Sequence, residues 1–369
     1  MREPFVWVLA LALAVAAVLF AVGCGGDDDD SADGSTTPTV TRPADAAAER
    51  FLDRYMTADG RVQRIDEGGD TVGEGQAYGM LLAAAMGDEG RFDVIWDWTK
   101  ANMRRPDGLI SFLWRDGRVV DPEAASDADV DAARALLVAA CRFKRPDFRR
   151  EALELAEAIL THETTSFQGA PVLTAGPWAR SDPITLNPSY FSPATFAQLG
   201  TATGDGQWGS LSASSRSVTQ TLMPDPGSLP PDWASVQGDT PVPSGPPADP
   251  DAPPRYGFDA PRTLVRMAED PDPAGREIAA GAWPAFDGRD PADIPVEHDL
   301  SGEPAGGTLH PMALVAAAAA ADAAGQAAAK RRLLDAAEDL DRQTPTYYGA
   351  AWVALGRVML DTNELDACP

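Results

Sequence analysis

"GEGQAYGMLLAAAMGDEGRFDVIWDWTKANM", residues 73–103, decides how the chain is read. One acid, Glu74, stands among Gly73, Gly75 and Gly79 and leads straight into the apolar run "LLAAAM". Apolar residues recur at helical spacing on both sides of "MGDEG", which reads as a tight turn between two helices. The same unit returns down the chain, with "FKRPD" as another such turn. Helical segments are expected near 44–56, 74–87, 88–103, 127–142, 146–162, 192–203, 206–221, 259–269, 274–284, 308–323, 326–341 and 346–361. Twelve helices in neighbouring antiparallel pairs suit an all-α fold, six hairpins closed into an (α/α)6 barrel. Alanine-rich faces such as "LVAAAAAADAAG" let inner helices approach closely. "LISFLWR" and "PVLTAGPW" read as short strands over one end of the ring. In such a ring the inner helices run the same way, so acids at their N-termini converge although far apart in sequence.

Acids stand at three of those starts. Thr71 and Glu74 have capping-box spacing, Ser126 and Asp129 repeat it in "AASDADVDAARALLVAACRF", and Asp259 is placed as an N-cap in "RYGFDAPRTLVRMAED". Capping accounts for each of them singly. Against it, the glycines around Glu74 weaken a helix and permit close approach. Arg262, three residues after Asp259, shares its helical face. The residues alone leave both readings open, helix cap or chemistry.

The ends say where the protein works. "MREPFVWVLALALAVAAVLFAVGC" has a basic start, an apolar stretch and small residues before Cys24, the layout of a signal segment over 1–23. Ala21-Val22-Gly23-Cys24 resembles a bacterial lipobox, which makes Cys24 the lipidation site. An uncleaved membrane anchor is the alternative. Residues 24–44, polar and acidic, are expected to form a flexible tether, and 45–365 a single folded body. The proline-dense 223–255 reads as a surface excursion within it. Cys141 reads as a core residue, and a pairing with Cys368 is allowed in an exported protein. The three histidines are scattered and no metal-ligand spacing occurs, so no metal is expected. A net charge of −26 argues against nucleic acid, anionic lipid or polyuronate as partner. Neutral and cationic polymers stay open, and a monomer is expected.

The quoted stretch resembles the acid-bearing segment of glycoside hydrolase family 8, and "ASDAD" with its small-residue helix resembles that family's signature. "LNPSYFSP", "LPPDW" and "YGFDAPR" follow in the family's order. The likeness runs from about Asp45 to Asp361. Gly73, Ala77, Ala132 and Pro261 depart from the usual pattern without removing a reactive group. The resemblance implies the (α/α)6 barrel and an inverting glycosidase that needs no cofactor. It makes Glu74 the general acid, Asp259 the general base, and Asp127 the residue that holds the sugar, with Asp129 able to share that position. Inversion sets the two carboxyl groups about 6.5–9.5 Å apart. Glu74 then needs a raised pKa, although a helix N-terminus lowers it, so burial or a neighbouring carboxylate must intervene.

Sugar rings present an apolar face, and Trp114, Trp178, Tyr190, Trp233 and Tyr256 are candidate platforms, with Gln76, Asp129 and Arg262 as polar contacts. Arg262 is equally a structural partner for Asp259. The expected substrate is a β-1,4-linked polysaccharide, a cellulose-like glucan first, with chitosan, mixed-linkage β-glucan and xylan as alternatives. A sugar-binding lipoprotein without catalysis and a helical surface scaffold are the rival classes.

Overall fold

The computed structural model describes residues 41–366. The signal segment, Cys24, most of the expected tether and Cys368 lie outside the described residues. Among those described, twelve α-helices follow the expected series closely: α1 Pro43–Tyr55, α2 Gly73–Met86, α3 Glu89–Asn102, α4 Ser126–Arg142, α5 Pro146–His162 and α6 Pro193–Thr203, then α7 Gln207–Leu222, α8 Pro261–Ala268, α9 Pro273–Gly281, α10 Pro311–Ala323, α11 Ala327–Gln343 and α12 Tyr347–Asp361. The first described helix thus starts inside the stretch assigned to the tether, at Pro43. No described helix is long and apolar enough to cross a membrane.

The even-numbered helices pack in a closed cycle, α2 on α4, α4 on α6, α6 on α8, α8 on α10, α10 on α12 and α12 on α2. Surrounded on all sides, α2, α4, α10 and α12 bury nearly every residue, which is why they read as apolar or small rather than amphipathic. Outer helices carry a stripe instead: α1 buries Ala44, Ala47, Ala48, Phe51, Leu52 and Tyr55, a helical period. Five sequential pairs, α2–α3 to α10–α11, form hairpins, and the first and last helices, α1 and α12, make the sixth. Arg42, just before α1, pairs with Glu364 beyond α12 at 2.6 Å. Gly87 ends α2 and Gly204 ends α6 in left-handed conformation, φ 75° and 72°, where a side chain would strain the turn.

Strands are short and lie in the connections: β1 Thr71–Val72, β2 Leu113–Arg115, β3 Arg118–Asp121, β4 Thr164–Phe167, β5 Ala170–Leu173, β6 Thr185–Leu186, β7 Trp233–Gln237 and β8 Thr240–Ser244. Sheet β1-β2-β3 sets Trp114 opposite Thr71. Sheet β6-β7-β8 pairs Leu186 with Ala234. The proline-dense 223–255 is thus only partly a surface excursion: it contains the β7–β8 hairpin, and Leu229 and Ala234 are fully buried. Cys141 departs from the core reading as well, being half-buried near the end of α4 and disulfide-bonded.

Candidate active site

Glu74 is the second residue of α2 and Asp127 the second of α4, while Asp259 stands two residues ahead of α8. None of them caps its helix. α2, α4 and α8 start from Val72, Ala125 and Ala260, each without a side-chain cap. Thr71 gives its hydroxyl to the Val62 carbonyl at 3.0 Å, and Ser126 gives its own to Thr174 at 2.7 Å. Asp129 accepts the Ile110 N–H at 2.9 Å. Both expected capping boxes are absent, because their hydroxyls serve neighbouring segments. The cap expected of Asp259 is missing too. Asp232, from the proline-dense segment, accepts the N–H groups of Gly257, Asp259 and Ala260 at 3.0, 3.1 and 2.8 Å.

Freed from capping, the acids meet on one cation. Arg262 donates through Nη2 to Asp259 at 2.7 Å, and through Nη1 to Asp127 at 2.9 Å and Glu74 at 3.2 Å. The same Nη1 reaches the Tyr78 hydroxyl at 3.2 Å, and Asn187 donates to the other oxygen of Asp259 at 3.4 Å. Both Nη atoms belong to one small planar group. These contacts therefore hold the Glu74 and Asp259 oxygens no more than about 8 Å apart, below the upper limit of about 9.5 Å for an inverting pair.

The three acids differ in surroundings: the side chain of Asp127 is 4 % exposed, that of Glu74 22 % and that of Asp259 34 %. Burial, reinforced by the charge of Asp127, pushes Glu74 up to about 8 against the opposing pull of Arg262. Asp127 is also raised, by burial first, with Arg262 opposing. Asp232 is pushed up to about 6 by burial and the charge of Asp259, while the N–H groups it receives pull the other way.

Gly75 has no room for a side chain, since a Cβ there would lie 2.3 Å from the Tyr347 hydroxyl. The close approach expected of this glycine cluster is thus made by α12. Aromatic rings surround the acids. Tyr190, half-buried, lies under the Arg262 guanidinium at 5.2 Å and meets Trp233 edge-on at 6.3 Å. Trp114, half-buried, packs edge-on against Trp98 at 5.2 Å and under Arg61 at 5.0 Å. Trp178, 41 % exposed, gives its indole N–H to the Ala124 carbonyl two residues before α4. A hollow of about 970 Å³ among α4, α5 and α6, lined by Leu137, Cys141, Arg149 and Gln198 among others, holds none of the acids.

Four expected substrate contacts are placed differently. Tyr256 has no exposed surface and packs edge-on against His298 at 5.7 Å, so it is a core residue. Gln76 is fully buried, accepting from Val62 N at 2.6 Å and donating to Thr99 Oγ1 at 2.8 Å, and so ties α2 to α3. Asp129 is fully buried beside Glu163, and burial pushes both carboxyls well up. Arg262, 2 % exposed, matches the structural alternative, since it holds Glu74, Asp127 and Asp259. Sequence reasoning missed Tyr78, Asn187, Asp232 and the exposed Phe258 beside Asp259. All four lie inside the quoted motifs "GEGQAYGM", "LNPSYFSP", "LPPDW" and "YGFDAPR".

A carboxyl pushed up to about 8 stands within about 8 Å of a second, more exposed carboxylate, an arrangement that can serve acid–base chemistry of the glycoside-hydrolase kind. The sequence pattern of glycosyl hydrolases family 8 matches residues 34–266, and the chain belongs to this family. A probable endoglucanase of Novacetimonas hansenii is 32% identical over 239 residues, 61% of this chain and 68% of that protein. An endoglucanase of Xanthomonas axonopodis pv. citri is 33% identical over 202 residues, 52% of each chain, so the match spans about half of that relative's length. The solved structure of endo-beta-1,4-glucanase CMCax from Acetobacter xylinum is 27% identical with a TM-score of 0.73, covering 86% of this chain and 98% of that one. The (α/α)6 barrel of these relatives is the fold found here.

Proposed function

We propose that the protein is an endo-β-1,4-glucanase that cleaves internal bonds of a cellulose-like glucan with inversion. Glu74 gives its proton to the glycosidic oxygen as the C1–O bond breaks. Asp259 takes a proton from water as that water attacks C1 from the opposite face, and the new reducing end has inverted configuration. Asp127, buried and fixed by Arg262, holds the sugar at the cleavage point through its hydroxyls. Tyr190, Trp114 and Trp178 offer ring faces to neighbouring glucose units. The observation that carries this reading is the sharing of Arg262 by Glu74, pushed up to about 8, and the more exposed Asp259. We further infer export and tethering through a lipid on Cys24; incorporation of labelled fatty acid by the wild-type chain that is lost in Cys24→Ser would support it.

The test uses the soluble body, residues 41–369, and its Glu74→Gln variant. Reducing ends are followed with carboxymethyl cellulose, mixed-linkage β-glucan, xylan and chitosan in parallel. Release from the cellulose derivative that vanishes in the variant supports the reading. Preference for chitosan would move the substrate to the cationic polymer that a net charge of −26 also suits. A folded wild-type protein that binds these polymers but releases nothing would place it among sugar-binding proteins.

A further inference from the structure

We propose that Asp232 is a positioning residue for Asp259: it fixes the turn that carries the base, so that the proline-dense segment 223–255 completes the catalytic geometry. The inference rests on the proposed role of Asp259. One oxygen of Asp232 receives three backbone N–H groups, from Gly257, Asp259 and Ala260, at 2.8–3.1 Å. Those residues form the whole approach to α8, which otherwise begins without a side-chain cap. The other oxygen lies so near that a Cβ on Gly257 would stand 2.4 Å from it. Backbone and carboxylate are thus fitted to each other with no room for a shift.

The connections of Asp232 run to both sides of the base. Its own N–H is given to the Arg255 carbonyl at 2.8 Å, which holds the start of the Gly257 turn from below. The next residue, Trp233, opens β7, meets Tyr190 edge-on and belongs to the strand paired with β6. Directly after β6 comes Asn187, which donates to Asp259. A single buried acid therefore joins the two segments that reach Asp259 from opposite directions, backbone on one side and amide on the other. A catalytic group displaced by about 1 Å loses about 100-fold in rate, and the hydrogen bonds of Asp232 go to backbone groups of Arg255, Gly257, Asp259 and Ala260, none to an aromatic side chain.

Asp232→Ala, Asp232→Asn and Gly257→Ala are each compared with wild type on carboxymethyl cellulose, with circular dichroism and Tm as controls. Asp232→Ala is expected to lower kcat by about 100-fold while KM stays within about twofold. Asp232→Asn keeps an oxygen for the three N–H groups and should restore kcat to within about fivefold of wild type. Gly257→Ala, which disturbs the same contact from the other side, should repeat the kcat loss at unchanged KM. If Asp232→Ala does not fold, the Asn and Gly257 variants decide. A kcat retained within about threefold in folded Asp232→Ala or Gly257→Ala, or a loss in Asp232→Asn as deep as in Gly257→Ala, would overturn the inference. An inactive wild-type protein would instead overturn the glucanase reading itself, before any variant is compared.

Discussion

Replacing Glu74 with Gln tests the site through stability as well as rate. In the unfolded chain a Glu titrates near 4.5, whereas in the fold burial and Asp127 push Glu74 up to about 8. Between those values the folded protein holds a proton that the unfolded chain gives up. The sign follows: the wild-type fold has its full stability below the unfolded pKa and loses some as pH rises toward the folded pKa, at about 1.4 kcal/mol per pH unit. By pH 7 the accumulated loss is on the order of 3 kcal/mol. Gln carries no titrating proton and keeps the side chain's shape. Glu74→Gln should therefore match wild type near pH 4.5 and exceed it increasingly up to about pH 8, where the gap levels off.

Urea unfolding at pH 5, 6, 7 and 8 measures that gap, and kcat on carboxymethyl cellulose measures the chemistry. Loss of a general acid lowers the rate by about 10²–10⁴. It does so least for an aryl glycoside whose leaving group departs without a proton. A stability gap that stays flat from pH 5 to 8 would refute the raised pKa. A kcat within tenfold of wild type would refute the role. The two results together separate an acid poised for chemistry from an acid that merely sits at a helix start.

Asp259→Asn should lower kcat by about 10²–10⁴, and ¹H NMR of early wild-type product should show the α-anomer; the β-anomer would mean retention and remove Asp259 as base. Arg262→Met leaves Asp127, only 4 % exposed, without its counter-charge, and should cost about 3–5 kcal/mol at pH 7. Urea unfolding should show that loss shrinking toward pH 5, as Asp127 takes up a proton. Gln76→Ala should cost about 1–3 kcal/mol through its orphaned partners, and kcat per folded molecule should hold. Tyr256→Phe should leave kcat and KM within about twofold on the same polymer, since its ring has no exposed surface.

Much of the fold was legible because inner and outer helices leave different marks. The alanine run of α10 and the stripe of α1 each satisfy the packing they meet. The pairing of α1 with α12 was not legible, since nothing local joins the chain's two ends. Glu74 and Asp259 stand out as acids at helix starts that converge in such a ring, while their roles and the choice of Asp127 over Asp129 come from the family resemblance. The capping patterns there were misleading: spacing shows that Thr71 can reach Glu74's segment, but not that Val62 will take its hydroxyl first. Arg262 showed only its local partner, Asp259, because Glu74 and Asp127 lie 188 and 135 residues away. Tyr256 and Gln76 were misjudged by proximity in sequence, which says nothing of the side to which a residue turns. Asp232 was hidden in a proline-dense stretch whose composition suggests surface.

One arginine for three carboxylates is what lets this site hold a proton and a charge at once. Beneath Arg262 the next cation is already committed, since Arg266 pairs with Asp131 at 2.5 Å, and deeper still Arg134 pairs with Glu269 at 3.0 Å. These pairs climb between α4 and α8 at helical spacing, and all their side chains are at most 6 % exposed. Buried pairs of this kind contribute little net stability, and their arginines are already matched by acids at the facing helix. Asp131 even adds to the negative field that raises Asp127. At the mouth, Asp259 has the shortest contact to Arg262 and the most water, and Asp127 the next contact. Glu74, with the longest contact at 3.2 Å, is the carboxyl left undercompensated, so it keeps the proton. A second arginine among these acids would add to the pull of Arg262 and draw Glu74 back down against its burial.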